Sequence, residues 1–104
     1  MIQIIHEQEL KQQVAEGLHL LDCYGTHCGP CELLAQQLEL LEQDYPFLSI
    51  LKLNSDESPE FCKEQNIMSV PTLFIYKDGK IISRKTGAQS AAALADWVGP
   101  YLYD

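Results

Sequence analysis

The chain has 104 residues, of which 46% are hydrophobic, enough to bury a core as one domain spanning 1–104 without covalent staples. Fifteen acidic residues against seven basic ones give a net charge of −8, which repels a phosphate backbone and excludes direct nucleic-acid binding. No apolar run is long enough for a membrane span, and the N-terminal "MIQIIHEQEL" lacks the basic and apolar regions of a secretion signal, so a cytoplasmic protein is expected.

In chain order, "MIQII" (1–5) is a short apolar run that predicts a strand. In "HEQELKQQVAEG" (6–17), Leu10 and Val14 stand four apart among polar residues, which predicts an amphipathic helix ended by Gly17. "LHLLDCY" (18–24) predicts a buried strand with one oddity, Asp22. From Gly29 to about Tyr45, Leu33, Leu34, Leu38, Leu41 and Tyr45 recur at helical spacing, and Pro46 ends the helix. "LSILKLN" (48–54) predicts a second buried strand, which also carries a charge, Lys52. Ser58 and Pro59 read as the cap and first position of a short helix reaching about Gln65.

"TLFIYKDGKIISRKTG" places two strand-forming runs around Asp78-Gly79, a favoured hairpin turn. Ser90 suits a helix N-cap, and Leu94, Trp97, Val98, Tyr101 and Leu102 share one face of the helix that follows. Gly99-Pro100 is expected to end or kink it. Alternating strands and helices imply parallel strands joined by crossovers, and the terminal hairpin adds antiparallel ones. The expected architecture is α/β, one mixed sheet with helices on both faces.

The chemistry concentrates in "GTHCGPCELL" (25–34), where Cys28 and Cys31 are two residues apart at a strand-to-helix junction. A helix N-terminus offers unpaired N–H groups and the positive end of a dipole, so Cys28 should ionise more easily than free cysteine. Pro30 falls in the first turn, where a missing N–H does little harm, and stiffens the loop. A lone CxxC is a weak signal. A tetrahedral metal site wants a second pair of ligands, and only Cys23, Cys62, His6, His19 and His27 are spare, so zinc or iron–sulfur stays open. A structural bridge is disfavoured in a reducing compartment. Cys23 and Cys62 themselves read as inert packing.

The motif Cys28-Gly29-Pro30-Cys31, with Asp22 upstream, "KLN" at 52–54, "VPT" at 70–72, "KDG" at 77–79 and "TGA" at 86–88, resembles the thioredoxin family in order and spacing over essentially the whole chain. The resemblance implies the thioredoxin fold and a protein-disulfide reductase without a cofactor of its own; the chain also has no glycine-rich phosphate loop. Cys28 would be the nucleophile and Cys31 the resolving thiol. Asp22, raised in pKa by burial, would take the Cys31 proton, with Lys52 opposing that shift. His27, Gly29, Pro30, Val70, Pro71 and Gly87 would bind the partner, Pro71 through a cis peptide bond facing the cysteines.

Implied partners are disulfide-containing proteins and an NADPH-dependent flavoprotein, thioredoxin reductase, met by a monomer. The chain departs from the family at His27 and Tyr24, where tryptophan is usual, at Glu32 in place of a common lysine, and at Gln36 where a proline often kinks the helix. Those changes motivate a second reading: a specialised relative with a dedicated partner, or an oxidant or isomerase, not served by the general reductase. A non-catalytic interaction module is the third.

Overall fold

The structure is a computed structural model, and residues 1–103 are described. The order is β1 (Ile2–Ile5), α1 (Glu7–Gln13), β2 (Leu18–Tyr24), α2 (Gly29–Asp44), β3 (Ser49–Asn54), a 3-10 turn (Ser55–Glu57), α3 (Pro59–Glu64), β4 (Thr72–Lys77), β5 (Lys80–Thr86) and α4 (Ala91–Leu102). The strands form one mixed sheet in the order β1-β3-β2-β4-β5. β1 and β2 run parallel to β3, and β4 runs antiparallel to both β2 and β5. This is the thioredoxin fold that the motif order implies, and no helix among the described residues is long and apolar enough to cross a membrane.

β2 lies mid-sheet with both faces covered, which is why it reads as a nearly unbroken apolar run. Strand alternation sends its residues into two cores. Leu21 and Cys23 join Leu10, Val14, Phe61 and Phe74 on the side of α1 and α3. Leu20 joins Leu34, Leu38, Leu94 and Val98 on the side of α2 and α4. The face of α4 expected from the sequence is the one that packs: Trp97, Tyr101 and Leu102 flank Leu94 and Val98.

The Asp78-Gly79 hairpin is present, and both residues have positive φ (49° and 84°), the geometry of a type I′ turn. Asp78 also accepts the Gly17 N–H at 2.8 Å and donates its own N–H to the Gly17 carbonyl at 3.0 Å. That clasp explains a departure from expectation. α1 stops at Gln13, not Gly17, because Gly17 (φ 83°) belongs to the turn held by the hairpin. On α2, Leu33 is 60% exposed, and Cys31 completes the inward stripe with Leu34, Leu38 and Leu41. The helix is continuous past Gln36.

Ser58 precedes α3 as expected, yet its hydroxyl donates to the Asn54 carbonyl at 2.7 Å and does not cap the helix. Ser90 does cap α4, accepting the Ala93 N–H at 3.1 Å. Gly99-Pro100 does not end α4, which runs to Leu102. Proline removes only one donor there, and burial of Tyr101 and Leu102 against the core holds the last turn. Leu38 is fully buried beneath α4 and the sheet. Leu38→Ala is expected to lower stability by about 2–5 kcal/mol, read from urea denaturation with an unchanged m-value.

Candidate functional site

β2 ends at Tyr24, and four residues later the chain enters α2. Cys28 is the N-cap of that helix, in extended backbone conformation, and Pro30 lies in the first turn. An N-cap ordinarily offers a side-chain oxygen to the first free N–H groups. Here a sulfur does so: the Cys31 N–H donates to Cys28 Sγ at 3.2 Å. Cys28 and Cys31 form a disulfide with Cα atoms 5.2 Å apart. Cys31 is buried and Cys28 half-buried, so the first sulfur is the accessible one. The Gly25 N–H points at Cys31 Sγ from 3.4 Å.

Opposite the disulfide, Val70-Pro71 is a cis peptide bond, and the Val70 carbonyl oxygen lies 3.8 Å from Cys28 Sγ. The Gly87 N–H donates to the Pro71 carbonyl at 2.8 Å, in a left-handed backbone conformation (φ 91°) that favours glycine. The structure therefore gathers Cys28, Gly29, Pro30 and Cys31 on one side and Val70, Pro71 and Gly87 on the other. His27 precedes the pair, exposed, with a positive φ of 53°.

Asp22 lies deeper. It shares the α2/α4 face of β2 with Leu20, between Lys52 of β3 and Leu73 of β4 in the sheet register. It is 0% exposed, and neither carboxyl oxygen has a hydrogen-bond partner. Burial pushes its pKa up to about 7, and the Lys52 charge pulls the other way. Lys52 makes no ion pair with it among the described residues; its ammonium sits 5.0 Å from the centre of the Tyr24 ring. Attraction at that separation is electrostatic and does not need contact.

Four residues that sequence reasoning passed over hold the loop. Thr26 donates its N–H to Asp56 at 3.1 Å, and Asn54 donates to the Thr26 hydroxyl at 3.4 Å. The Thr26 hydrogen bonds, and then the charge of His27, keep the Asp56 carboxyl below its usual range. Asp56 is oriented in turn by its own N–H, donated to Asn54 Oδ1 at 2.9 Å. The "NSD" string carried that signal, since Asn two residues before a donor N–H is an Asx turn. Gly25 packs so tightly that a Cβ would stand 2.8 Å from a Val70 methyl.

The spare metal ligands do not assemble: among the described residues no three His, Cys, Asp or Glu side chains form a metal-binding group. His19 is engaged by Ser49 and by the Glu16 carbonyl, each at 2.7 Å. Cys23 and Cys62 are free thiols in contact on the α3 side, and burial pushes Cys23 up to about 12.

A bridged sulfur pair capping a helix, with one sulfur open to attack, is built to exchange a disulfide with another molecule, which makes the chain a thiol–disulfide oxidoreductase. The model of the family named Thioredoxin matches residues 1–99. A thioredoxin of Chlamydia muridarum is 35% identical over 101 residues, covering 97% of this chain and 99% of that protein. One of Staphylococcus aureus is 35% identical over 99 residues, covering 94% and 95% respectively. The chain belongs to the thioredoxin family, whose members are protein-disulfide oxidoreductases acting on disulfide-containing proteins and re-reduced by a reductase.

Asp22 sets a pH dependence. Its folded pKa of about 7 is above the ordinary 3.8, so the folded state holds its proton over a range where the unfolded chain has lost it. The Asp22 contribution to stability is therefore largest below about pH 4, falls as pH rises through 7, and levels off above. Three pH units correspond to about 4 kcal/mol at most. Asp22→Asn is expected to be more stable than the parent at pH ~8 by a few kcal/mol, with the gap closing towards pH ~4, measured by guanidinium denaturation at each pH.

Proposed function

We propose that Cys28 is the attacking thiol of a protein-disulfide reductase and Cys31 its resolving partner, within one domain spanning 1–104. The reading rests on one observation above the others: the Cys31 N–H donated to Cys28 Sγ at the head of α2. A donor aimed at sulfur, reinforced by the helix dipole, favours thiolate over thiol. In the reduced protein the Cys28 thiolate attacks one sulfur of the partner's disulfide. A mixed disulfide forms and the partner's other sulfur leaves as a thiolate. Cys31, deprotonated, then attacks Cys28 Sγ. The second partner thiolate leaves, the Cys28–Cys31 bond forms, and two electrons have passed to the partner.

Asp22 accepts the Cys31 proton in this scheme. Its support is a carboxyl that titrates near neutrality on the strand face covered by the helix that carries Cys31. Lys52 limits how far burial raises that pKa. Gly29, Pro30, Val70, Pro71, Gly87 and His27 form the surface that receives an extended segment of the partner. The electron donor is an NADPH-dependent thioredoxin reductase, the protein acts as a monomer, and its place is the cytoplasm, where a reducing pool keeps Cys23 and Cys62 as thiols.

Insulin reduction tests the scheme. Turnover is expected with dithiothreitol and also with NADPH and thioredoxin reductase. Cys31→Ser should abolish turnover and accumulate a mixed disulfide with the substrate, seen on a non-reducing gel. Loss of trapping in that variant would reverse the two roles.

A second reading, a relative with a dedicated partner, draws on one residue. His27 places an imidazole where the family usually has tryptophan, in a loop tied to Asp56. Turnover with dithiothreitol alone would favour it. His27→Trp is expected to change the pH profile of Cys28 alkylation in the reduced protein; superimposable profiles would show that the imidazole has no electrostatic part in the site.

A further inference from the structure

On the sheet face opposite α2, a cavity of about 750 Å³ opens between α1 and α3. Its floor is apolar: Leu10 and Val14 of α1, Phe61 of α3 and Tyr76 of β4, all members of the core on that side. Its wall is acidic. Glu7, Glu60 and Glu64 line it, against Lys11 as the one cation among the described residues there. Glu7 is already committed, since its carboxylate accepts the Phe61 N–H at 3.0 Å and straps α1 to α3. Glu60 and Glu64 are exposed and one helical turn apart, so both present their charge along the same edge.

A second observation comes from the floor. Tyr76 is only 5% exposed and lines the cavity, yet its hydroxyl has no hydrogen-bond partner among the described residues. Burial and then the charges of Cys23 and Glu64 keep that phenol protonated, pushed up to about 12. Among the described residues only the Asp22 carboxyl oxygens are buried without a partner, so the Tyr76 hydroxyl reaches solvent, where a ligand's donor can replace water. The volume lies in the range of small-molecule sites, where an apolar lining supplies affinity and a few polar groups fix orientation.

We propose that this cavity binds a small organic cation, a compact apolar ring or chain bearing one amidinium, guanidinium or ammonium group. The apolar part covers Leu10, Val14 and Phe61. The cationic end lies towards Glu60 and Glu64 and donates an N–H to the Tyr76 hydroxyl oxygen. The site lies on the opposite face of the sheet from the α2 packing and uses none of the residues assigned to disulfide exchange.

Benzamidine is the probe, titrated into the full-length protein labelled with nitrogen-15. Saturable shifts are expected at 10–15, 60–65 and 76, weakened by added salt, and absent with the neutral isostere benzamide. Glu64→Gln and Tyr76→Phe should each weaken binding about tenfold, the loss of one hydrogen bond or ion pair to a charged group. Both variants should retain insulin reduction with dithiothreitol, which reports an intact fold. No saturable shift, shifts confined elsewhere, or equal response to benzamide would overturn the proposal. Unchanged affinity in Glu64→Gln, a substitution at an exposed side chain, would do so even if Tyr76→Phe failed to fold.

Discussion

A helix that begins in a protein has donors with nowhere to go, and at α2 the N–H of the third residue finds a sulfur atom. Everything distinctive about the site follows from that one pairing between the Cys31 N–H and Cys28 Sγ. It puts the Cys28 sulfur at the N-terminal, positive end of a sixteen-residue helix. It also buries the second sulfur in the first turn, where it replaces Leu33 in the stripe that packs on the sheet. One residue spacing therefore serves packing and chemistry together. Pro30 costs little in that turn because its nitrogen had no intrahelical partner to lose.

Most of this architecture is legible in the residues, and the reasons are local. The Asp78-Gly79 turn demands positive φ at two successive positions, and few dipeptides tolerate it. The strand-to-helix junction at Cys28 follows from a change of apolar period. What escapes local reading is decided across the sheet. Gly17 looks like a helix terminator but answers to Asp78, sixty-one residues away. Pro100 looks like a helix breaker but is overruled by tertiary packing. Leu33 and Cys31 compete for one face, and the periodicity of leucines alone cannot award it. The Asx turn at Asn54 is written in the "NSD" string, but the Thr26 N–H that Asp56 accepts comes from thirty residues away and leaves no local pattern.

The electrostatics of β2 show what such a site imposes on the fold. A carboxyl with no hydrogen-bond partner is retained in the middle of the central strand, with one ammonium nearby that is itself drawn to an aromatic ring. A hydrophobic residue would stabilise the strand more simply. The two cores lie on opposite sheet faces, and the carboxyl belongs to the face of α2 and α4. The same separation leaves the α1 and α3 side free to carry a different surface chemistry.

A methyl group placed on Gly25 would stand only 2.8 Å from a Val70 methyl carbon. Two segments from distant parts of the chain thereby lose their independence: neither the turn before Cys28 nor the stretch around Pro71 can shift without the other. On the proposed docking of a partner's backbone between these surfaces, packing has already fixed them, and less ordering entropy is lost on encounter. On that same proposal, discrimination among guests would fall to side chains outside this contact, such as the exposed His27.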